Sequence, residues 1–572
     1  MNINPTPLLE HLKFLYGSDT AHRLLPTLVA RLQRFHPPTI PTHPLDHQDV
    51  ILITYGDQFT ADGERPLRTL RRFCRHHLKS ALSGLHILPF FPYSSDDGFS
   101  VIDFYQVNPA LGTWDDIQTL ASEFILMVDL VLNHTSVQNP WFQGFLKGDP
   151  NFSDFYLTAS PETDLSAVVR PRALPLLTPF ETPQGTLWVW TTFSADQVDL
   201  NYKNPQVLLQ MVDVLLTYLE HGARIIRLDA VAYVWKEIGT PCIHLPQTHG
   251  LVRLFRTIVK QIAPWALLIT ETNVPHTENL SYFGDGYNEA HLVYNFALPP
   301  LMLHTLYSGN AEKMTQWAAT ALKLPSSEVT FFNFLASHDG IGINPVRGML
   351  SETEIETLIT RVQERGGLIS YKSNPDGTLS PYELNITYFD ALADPNSEEL
   401  SLRRFLLAHA ILMALQGIPG IYVHSLLGSS NWNEGVRLLG YNRAINRQKF
   451  SLRTIEERLS HPKSREARVL EGMLALIQAR QKSPAFNPYG FQRVLSLSPA
   501  VFCLIRQTPE ASSIVLCVHN VSAELQNLKV PLASFQLFGT KGLELLSGQV
   551  IDLKDPLEVS LPPYGLLWLE IL

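Results

Sequence analysis

The chain has 572 residues, 45% of them apolar and 17% charged, enough for one large domain of roughly 250 residues or more with satellites. A formal net charge of −10 argues against nucleic acid or an anionic membrane as partner, because both select basic faces. No apolar run approaches ~18 residues, the start Met-Asn-Ile-Asn-Pro-Thr-Pro does not read as a signal peptide, and four scattered cysteines (Cys74, Cys242, Cys503, Cys517) suit a reduced, cytoplasmic setting.

Residues 1–47 read as a helical extension, carried by Leu8, Leu9, Leu12, Phe14 and Leu15 and then Leu24 through Leu32. It ends in a connector, 35–44, whose prolines bar both helix and central strand. A rhythm of apolar strands and helical segments follows. The strands are expected at 50–55, 85–90, 124–132, 223–230, 266–271, 291–296, 329–335 and 417–423. Helices are expected at 67–82, 113–123, 205–220, 251–262, 311–322, 400–415 and 464–481. Apolar strands alternating with helices mean βα units and a parallel sheet, and eight of them predict a closed (β/α)8 barrel of the TIM type.

Two connections are too long for simple loops. One is an inserted subdomain at 135–200, between barrel parts 48–134 and 201–485. The other, 344–392, follows the seventh strand. Both should hang over the carboxyl face, where such a barrel keeps its site. From 486 to 572 short strands alternate with turn residues, which predicts an antiparallel β-domain with nothing catalytic in it.

The strand ends carry the chemistry. The third ends Asp129-Leu-Val-Leu-Asn133-His134, the fourth Arg227-Leu-Asp229, the fifth Thr270-Glu271-Thr-Asn273 and the seventh Ala336-Ser-His338-Asp339. Each alone has an ordinary structural explanation, but four ionisable ends at one face of a barrel point to a site. Arg227 and Asp229, two apart on a strand, share a face, so the guanidinium is expected to lower the carboxyl pKa and keep it ionised. Glu271, after an apolar run and beside another carboxylate, is expected to be raised. One ionised and one protonated carboxyl group suit glycosyl transfer with retention. Asp339, His134 and His338 would bind sugar hydroxyls, with Tyr93, Trp188, Trp190 and Tyr233 as candidate stacking faces.

These four segments resemble, in order and spacing, the signature regions of the α-amylase superfamily, glycoside hydrolase family 13. Within it the chain looks most like the sucrose phosphorylase group, on Leu88-Pro-Phe-Phe91, Asp97-Gly-Phe99 with Ile102-Asp103, Arg170-Pro-Arg172, Gln197-Val-Asp199, Asn295 to Pro300, His338-Asp-Gly-Ile341, Asn442-Arg443 and Ile445-Asn-Arg447. The resemblance implies Asp229 as nucleophile, Glu271 as acid/base and Asp339 as transition-state stabiliser, with Arg227 orienting Asp229. It further implies that Asp96 pairs with Arg443 at the closed end of a glucose pocket, where Phe99, His134, Tyr233 and His338 also bind. Arg172, Tyr382 and Asn273 fall on the phosphate and acceptor loops.

Two departures bear on substrate. Asn273 stands where sucrose phosphorylases typically carry histidine, and Ser380 replaces the acidic residue that precedes the tyrosine. The loop Pro92 to Ser100 and the N-terminal extension look more like glucosylglycerate phosphorylases of the same group. The implied activity is transfer of an α-glucosyl unit from a small glucoside to inorganic phosphate, giving α-glucose 1-phosphate. Fructose, fructose 6-phosphate, glycerate and glycerol all stay open as acceptor. A hydrolase or transglucosidase on the same scaffold, and an inactive sugar-binding barrel, are the alternatives. No cofactor is implied, and no acidic cluster calls for the calcium that some amylases hold near Asn133.

Overall fold

Eight strands close into a parallel barrel in sequence order: β1 (Ile51–Thr54), β2 (Gly84–Ile87), β3 (Ile125–Val131), β4 (Ala223–Asp229), β5 (Leu267–Thr270), β6 (Leu292–Tyr294), β7 (Thr330–Asn333) and β8 (Ile418–Tyr422), with β8 returning to β1. Almost every residue in them is buried, which is why they read as unbroken apolar runs rather than alternations. This computed structural model describes residues 3–40, 43–78, 81–374 and 376–572. Pro41 and Thr42 of the proline connector, Lys79 and Ser80 of the first expected barrel helix and Pro375 of the second insertion lie outside the described residues.

The helices cover the barrel from outside. That at Pro205–Glu220 starts on Asn204, whose side chain accepts from the Gln206 amide, with proline in the first turn where no donor is lost. The helix expected at 67–82 is α-helical only over Pro66–Phe73 and then widens into a π turn, Cys74–Leu78. The helix expected from Leu251 begins earlier, at Pro246, and runs to Ile262. Several helices escape the sequence pattern, among them Glu352–Glu364, Leu452–Leu459 and Leu298–Ser308; in the last the reason is local. Its Pro299-Pro300 reads as a break, yet both prolines sit in the first turn, whose amides have no intrahelical partner anyway.

The N-terminal helices, Pro5–Tyr16 and Ser18–Gln33, lie across two of the barrel's outer helices. His11 Nε2 meets Thr257 Oγ1 at 2.9 Å, and Arg31 reaches Asp213 at 2.5 Å. After β3, His134–Ser136 pairs with Gln197–Asp199 and folds the intervening chain back over the barrel mouth. After β7, a helix (Glu352–Glu364) capped reciprocally by Ser351 and Glu354 leads into a hairpin of Leu368–Ser373 and Leu379–Asn385. Ile341–Gly342 adds to the second hairpin strand and ties it to the mouth.

Beyond the barrel, six antiparallel strands between Phe491 and Ile571 form one sheet, and Gln526–Val530 pairs separately with Leu557–Leu561. Three of these strands, Lys541–Glu544, Val550–Asp552 and Leu557–Leu561, were not expected from sequence, being short and studded with charges. Cys503 and Cys517 do lie on neighbouring strands, but the register sets Cys517 opposite Leu504. The two sulfurs therefore face opposite sides of the sheet, and both stay free. Among the described residues no helix is long and apolar enough to cross a membrane.

Candidate active site

Register positions the central groups. Ile269 of β5 stands opposite Arg227 of β4, and Thr270 opposite Leu228, so Glu271, one residue further on, comes level with Asp229. Neighbouring strands run ~4.8 Å apart, close to the ~5–5.5 Å between carboxyl groups that retaining glycosidases use. Arg227 Nη1 holds Asp229 Oδ1 at 2.6 Å and Asp129 Oδ1 at 2.5 Å, while its Nη2 is 3.9 Å from Glu271. His86 Nε2 lies 2.7 Å from the other oxygen of Asp129, so this fully buried carboxylate is held from both sides. Ala230, in the left-handed region at φ 48°, turns its amide onto Glu271 Oε2 at 3.0 Å.

The three carboxyl groups are tuned apart. Burial drives the Glu271 carboxyl up to about 7, opposed by Arg227 and reinforced by Asp229 and Asp339. Burial also raises Asp229, against Arg227 and with Asp129 adding to the rise, which corrects the expectation that its arginine would depress it. The Arg227 guanidinium opposes the rise more strongly at Asp229, at 2.6 Å, than at Glu271, at 3.9 Å. For Asp339 burial is outweighed by Arg443, His338 and Arg447, and the group is held far below the ordinary carboxylate range. Burial takes His338 down to about 3, so its imidazole is neutral at physiological pH.

A narrow cavity of about 60 Å³ joins these groups, and of the site residues that the resemblance implies only Arg227 and Tyr233 are not in its lining. Asp96, Phe99, His134, Arg172, Asp229, Glu271, Asn273, His338, Asp339, Tyr382 and Arg443 all face it. Arg227 sits behind Asp229, and the Tyr233 ring meets the edge of Phe193, which does line the cavity. Phe99 stacks on the His338 ring at 4.6 Å, and His134 Nε2 lies 3.0 Å from the Phe99 carbonyl oxygen. Tyr93, Trp188 and Trp190 are not in the lining; Trp190 is buried instead in a small cluster with Val168, Leu176 and Cys242.

One predicted pair is not formed. Arg443 does not close on Asp96 but on Asp339, Nη1 to Oδ1 at 2.5 Å, and on Glu383 through Nε and Nη2. Glu383 is 1% exposed, arrives on the second insertion's hairpin, and claims two of the guanidinium's three nitrogens. Asp96, at φ 51°, turns to Arg447 instead, which bridges it at 3.2 Å and Asp97 at 2.8 Å while donating to the His338 carbonyl. Glu383 also lies 3.8 Å from Arg172, whose guanidinium stands over the Tyr382 ring. Near Asn133, the buried Lys236 Nζ reaches Asn133 Oδ1 and Asp199 Oδ2, each at 2.8 Å. Among the described residues no group of three or more acidic, histidine or cysteine side chains is placed to hold a metal.

The family profile described as "Alpha amylase, catalytic domain" matches residues 79–348. A glucosylglycerate phosphorylase from Spirochaeta thermophila is 51% identical over 98% of this chain and 97% of its own. Another from Escherichia coli is 45% identical over 98% of this chain and 99% of its own. The chain belongs to the α-amylase superfamily. Its place there is in the glucoside phosphorylase group, and the crystal structure of sucrose 6F-phosphate phosphorylase from Thermoanaerobacter thermosaccharolyticum superposes with a TM-score of 0.72 at 27% identity, covering 84% of this chain and 95% of the other.

Phe193 and Glu383 in the lining are missed from sequence, while Gln197 and Ala230 in the lining and Arg447 behind it stand in the motifs that carry the resemblance but have no part in the site expected from them. Arg447 had a local signal, standing four residues after Arg443 at the end of the short helix Asn442–Asn446. Glu383 had none, because both its arginine partners come from distant segments.

Proposed function

We propose that this protein is a retaining α-glucoside phosphorylase whose donor is glucosylglycerate and whose acceptor in turn is inorganic phosphate. In this reading the ionised Asp229 attacks the anomeric carbon as the bond to the glycerate oxygen breaks. Glu271, still carrying its proton near neutral pH, gives it to the leaving oxygen. Arg227 keeps Asp229 aimed, and Asp339, fully ionised between Arg443 and Arg447, balances the positive charge that develops on the sugar ring. A phosphate oxygen then attacks the glucosyl-Asp229 ester from the vacated side, Glu271 takes back the proton, and α-glucose 1-phosphate leaves with retained configuration.

The observation that carries this reading is Arg172, a cation facing the same cavity as Asp229, Glu271 and Asp339. Glycerate and phosphate are both anions, and the reaction exchanges one for the other. A single guanidinium can therefore serve both half-reactions, which a neutral acceptor such as fructose would not require. Asn273 and Tyr382 complete that side, while Asp96, Phe99, His134, His338 and Arg443 take the glucosyl unit. The likeness to glucosylglycerate phosphorylases over nearly the whole chain supports the same choice. A cytoplasmic setting belongs to this reading and accords with four buried, free cysteines.

The test is proton and phosphorus NMR of the purified protein with phosphate and either 2-O-α-glucosylglycerate or sucrose. The expected result is α-glucose 1-phosphate of α configuration, formed faster from glucosylglycerate. Faster turnover of sucrose would overturn the choice of donor. Free glucose released at one rate with or without phosphate would make the enzyme a hydrolase.

A further inference from the structure

A second cavity among the described residues is far larger than the catalytic one. It opens at the barrel's opposite, amino-terminal mouth, where the starts of β4 and β5 and the segment before β6 meet the first strand of the C-terminal sheet. Its volume, about 1260 Å³, exceeds the ~300–1,000 Å³ of ordinary small-molecule pockets. Arg224 and Arg256 line it within, Lys260 and Lys323 stand exposed at its edge, and Glu328 is the one carboxylate in its lining. That balance is the reverse of the chain's net charge of −10.

Arg256 is the telling residue. It is 5% exposed, yet among the described residues its Nε and Nη1 have no hydrogen-bond partner; Glu328, its ion-pair partner, stays 3.6 Å from Nη2 with a side chain 57% exposed, and Asp285 acts on it only from further off. Buried N–H groups left unpaired are costly, and on a charged group more so. Arg480 and Arg506, equally buried at the same end of the barrel, spread their donors over backbone carbonyls. Nε and Nη1 are closed off from the cavity, so an anion there meets the guanidinium at Nη2, the end that Glu328 holds only at 3.6 Å. The rest of the lining is more apolar than polar and includes the half-buried rings of Trp265 and Tyr489.

We infer that this cavity binds a small organic phosphate with a planar body, the phosphate on Arg256 and the plane against Trp265 or Tyr489, remote from the catalytic pocket. AMP has that chemistry and is the probe. Titration calorimetry of the full chain should give an AMP dissociation constant below ~1 mM that saturating α-glucose 1-phosphate leaves unchanged, with adenosine at least about tenfold weaker. AMP should quench tryptophan fluorescence, and Trp265→Phe should remove that quench. Arg256→Gln and Lys323→Glu should each weaken AMP about tenfold; Lys323 is exposed, so its variant folds even if loss of Arg256 disturbs the barrel. No heat at ~5 mM AMP, equal binding of adenosine, competition by α-glucose 1-phosphate, or unaltered affinity in Lys323→Glu and a correctly folded Arg256→Gln would each overturn the inference.

Discussion

The two mouths of this barrel use the same residue type to opposite ends. At the carboxyl mouth Arg227, Arg443 and Arg447 are each paired with carboxylates, two or more apiece. At the amino mouth Arg480 and Arg506 are as deeply buried but donate to carbonyls of Met413, Ala414, Phe486 and Asn487, and burial pulls them down to about 9 and about 10. An arginine among carboxylates sets which of them holds a proton. An arginine among carbonyls only fastens chain ends, because a carbonyl has no protonation state to set.

That contrast can be broken first at Asp229. Asp229→Asn keeps the shape and removes the charge that Arg227 aims. Glucosyl transfer should fall by ~10⁴-fold, measured as initial release of α-glucose 1-phosphate, with little change in Tm. A variant within tenfold of the parent would remove Asp229 from the chemistry.

Glu271 is next, and its sign can be worked out. With its carboxyl raised to about 7, the proton needed by the leaving oxygen is present below that pH and lost above it. The rate on the natural glucoside should therefore fall about tenfold per pH unit above 7. Glucosyl fluoride, whose leaving group needs no acid, should lack that limb in the glucosylation step. Glu271→Gln should lose ~10²–10⁴-fold on the glucoside and much less on the fluoride.

Glu383→Gln frees one side of Arg443 and leaves Arg172 without its neighbouring carboxylate. The expected result is a rise of about tenfold or more in KM for the glucoside, and destabilisation toward the ~3–5 kcal/mol seen when one partner of a buried pair is removed. Calorimetric melting measures the second effect. Arg172→Ala should act more narrowly, lowering the ratio of phosphorolysis to hydrolysis about tenfold while hydrolysis of the glucosyl-enzyme proceeds as before; an unchanged ratio would clear Arg172 of any part in binding phosphate. The smallest effect on activity belongs to the other mouth. Arg506→Met should lower Tm by several degrees yet leave kcat within about twofold, since its carbonyl partners touch no reacting group.

Glu383 shows where sequence reading stops. The loop around it could be picked out, with Tyr382 as its marked residue, but Glu383 itself carries no local pattern. It matters because a hairpin of the second insertion delivers it to Arg443, sixty residues on in the chain. Asp96 likewise meets a partner from a distant segment, Arg447 rather than the expected Arg443. The Asp229 carboxyl is a similar case: an arginine two residues away on a strand predicts depression, and only the full burial of the site reverses the direction. Helix Leu298–Ser308 was hidden for a different reason, since two prolines look alike in sequence whether they end a helix or begin one.

Local pattern alone determined the eight-stranded barrel and the four strand ends that carry its ionisable groups. Burial on both faces makes every strand an apolar run, and a strand's period of two sets Arg227 and Asp229 on one side. Only the tertiary structure decided which arginine meets which carboxylate, how far each proton is held, and that one buried arginine at the far mouth has N–H groups to spare. Those outcomes depend on distances between segments far apart in sequence and on how completely water is excluded between them, and neither quantity is written in any short stretch of the chain.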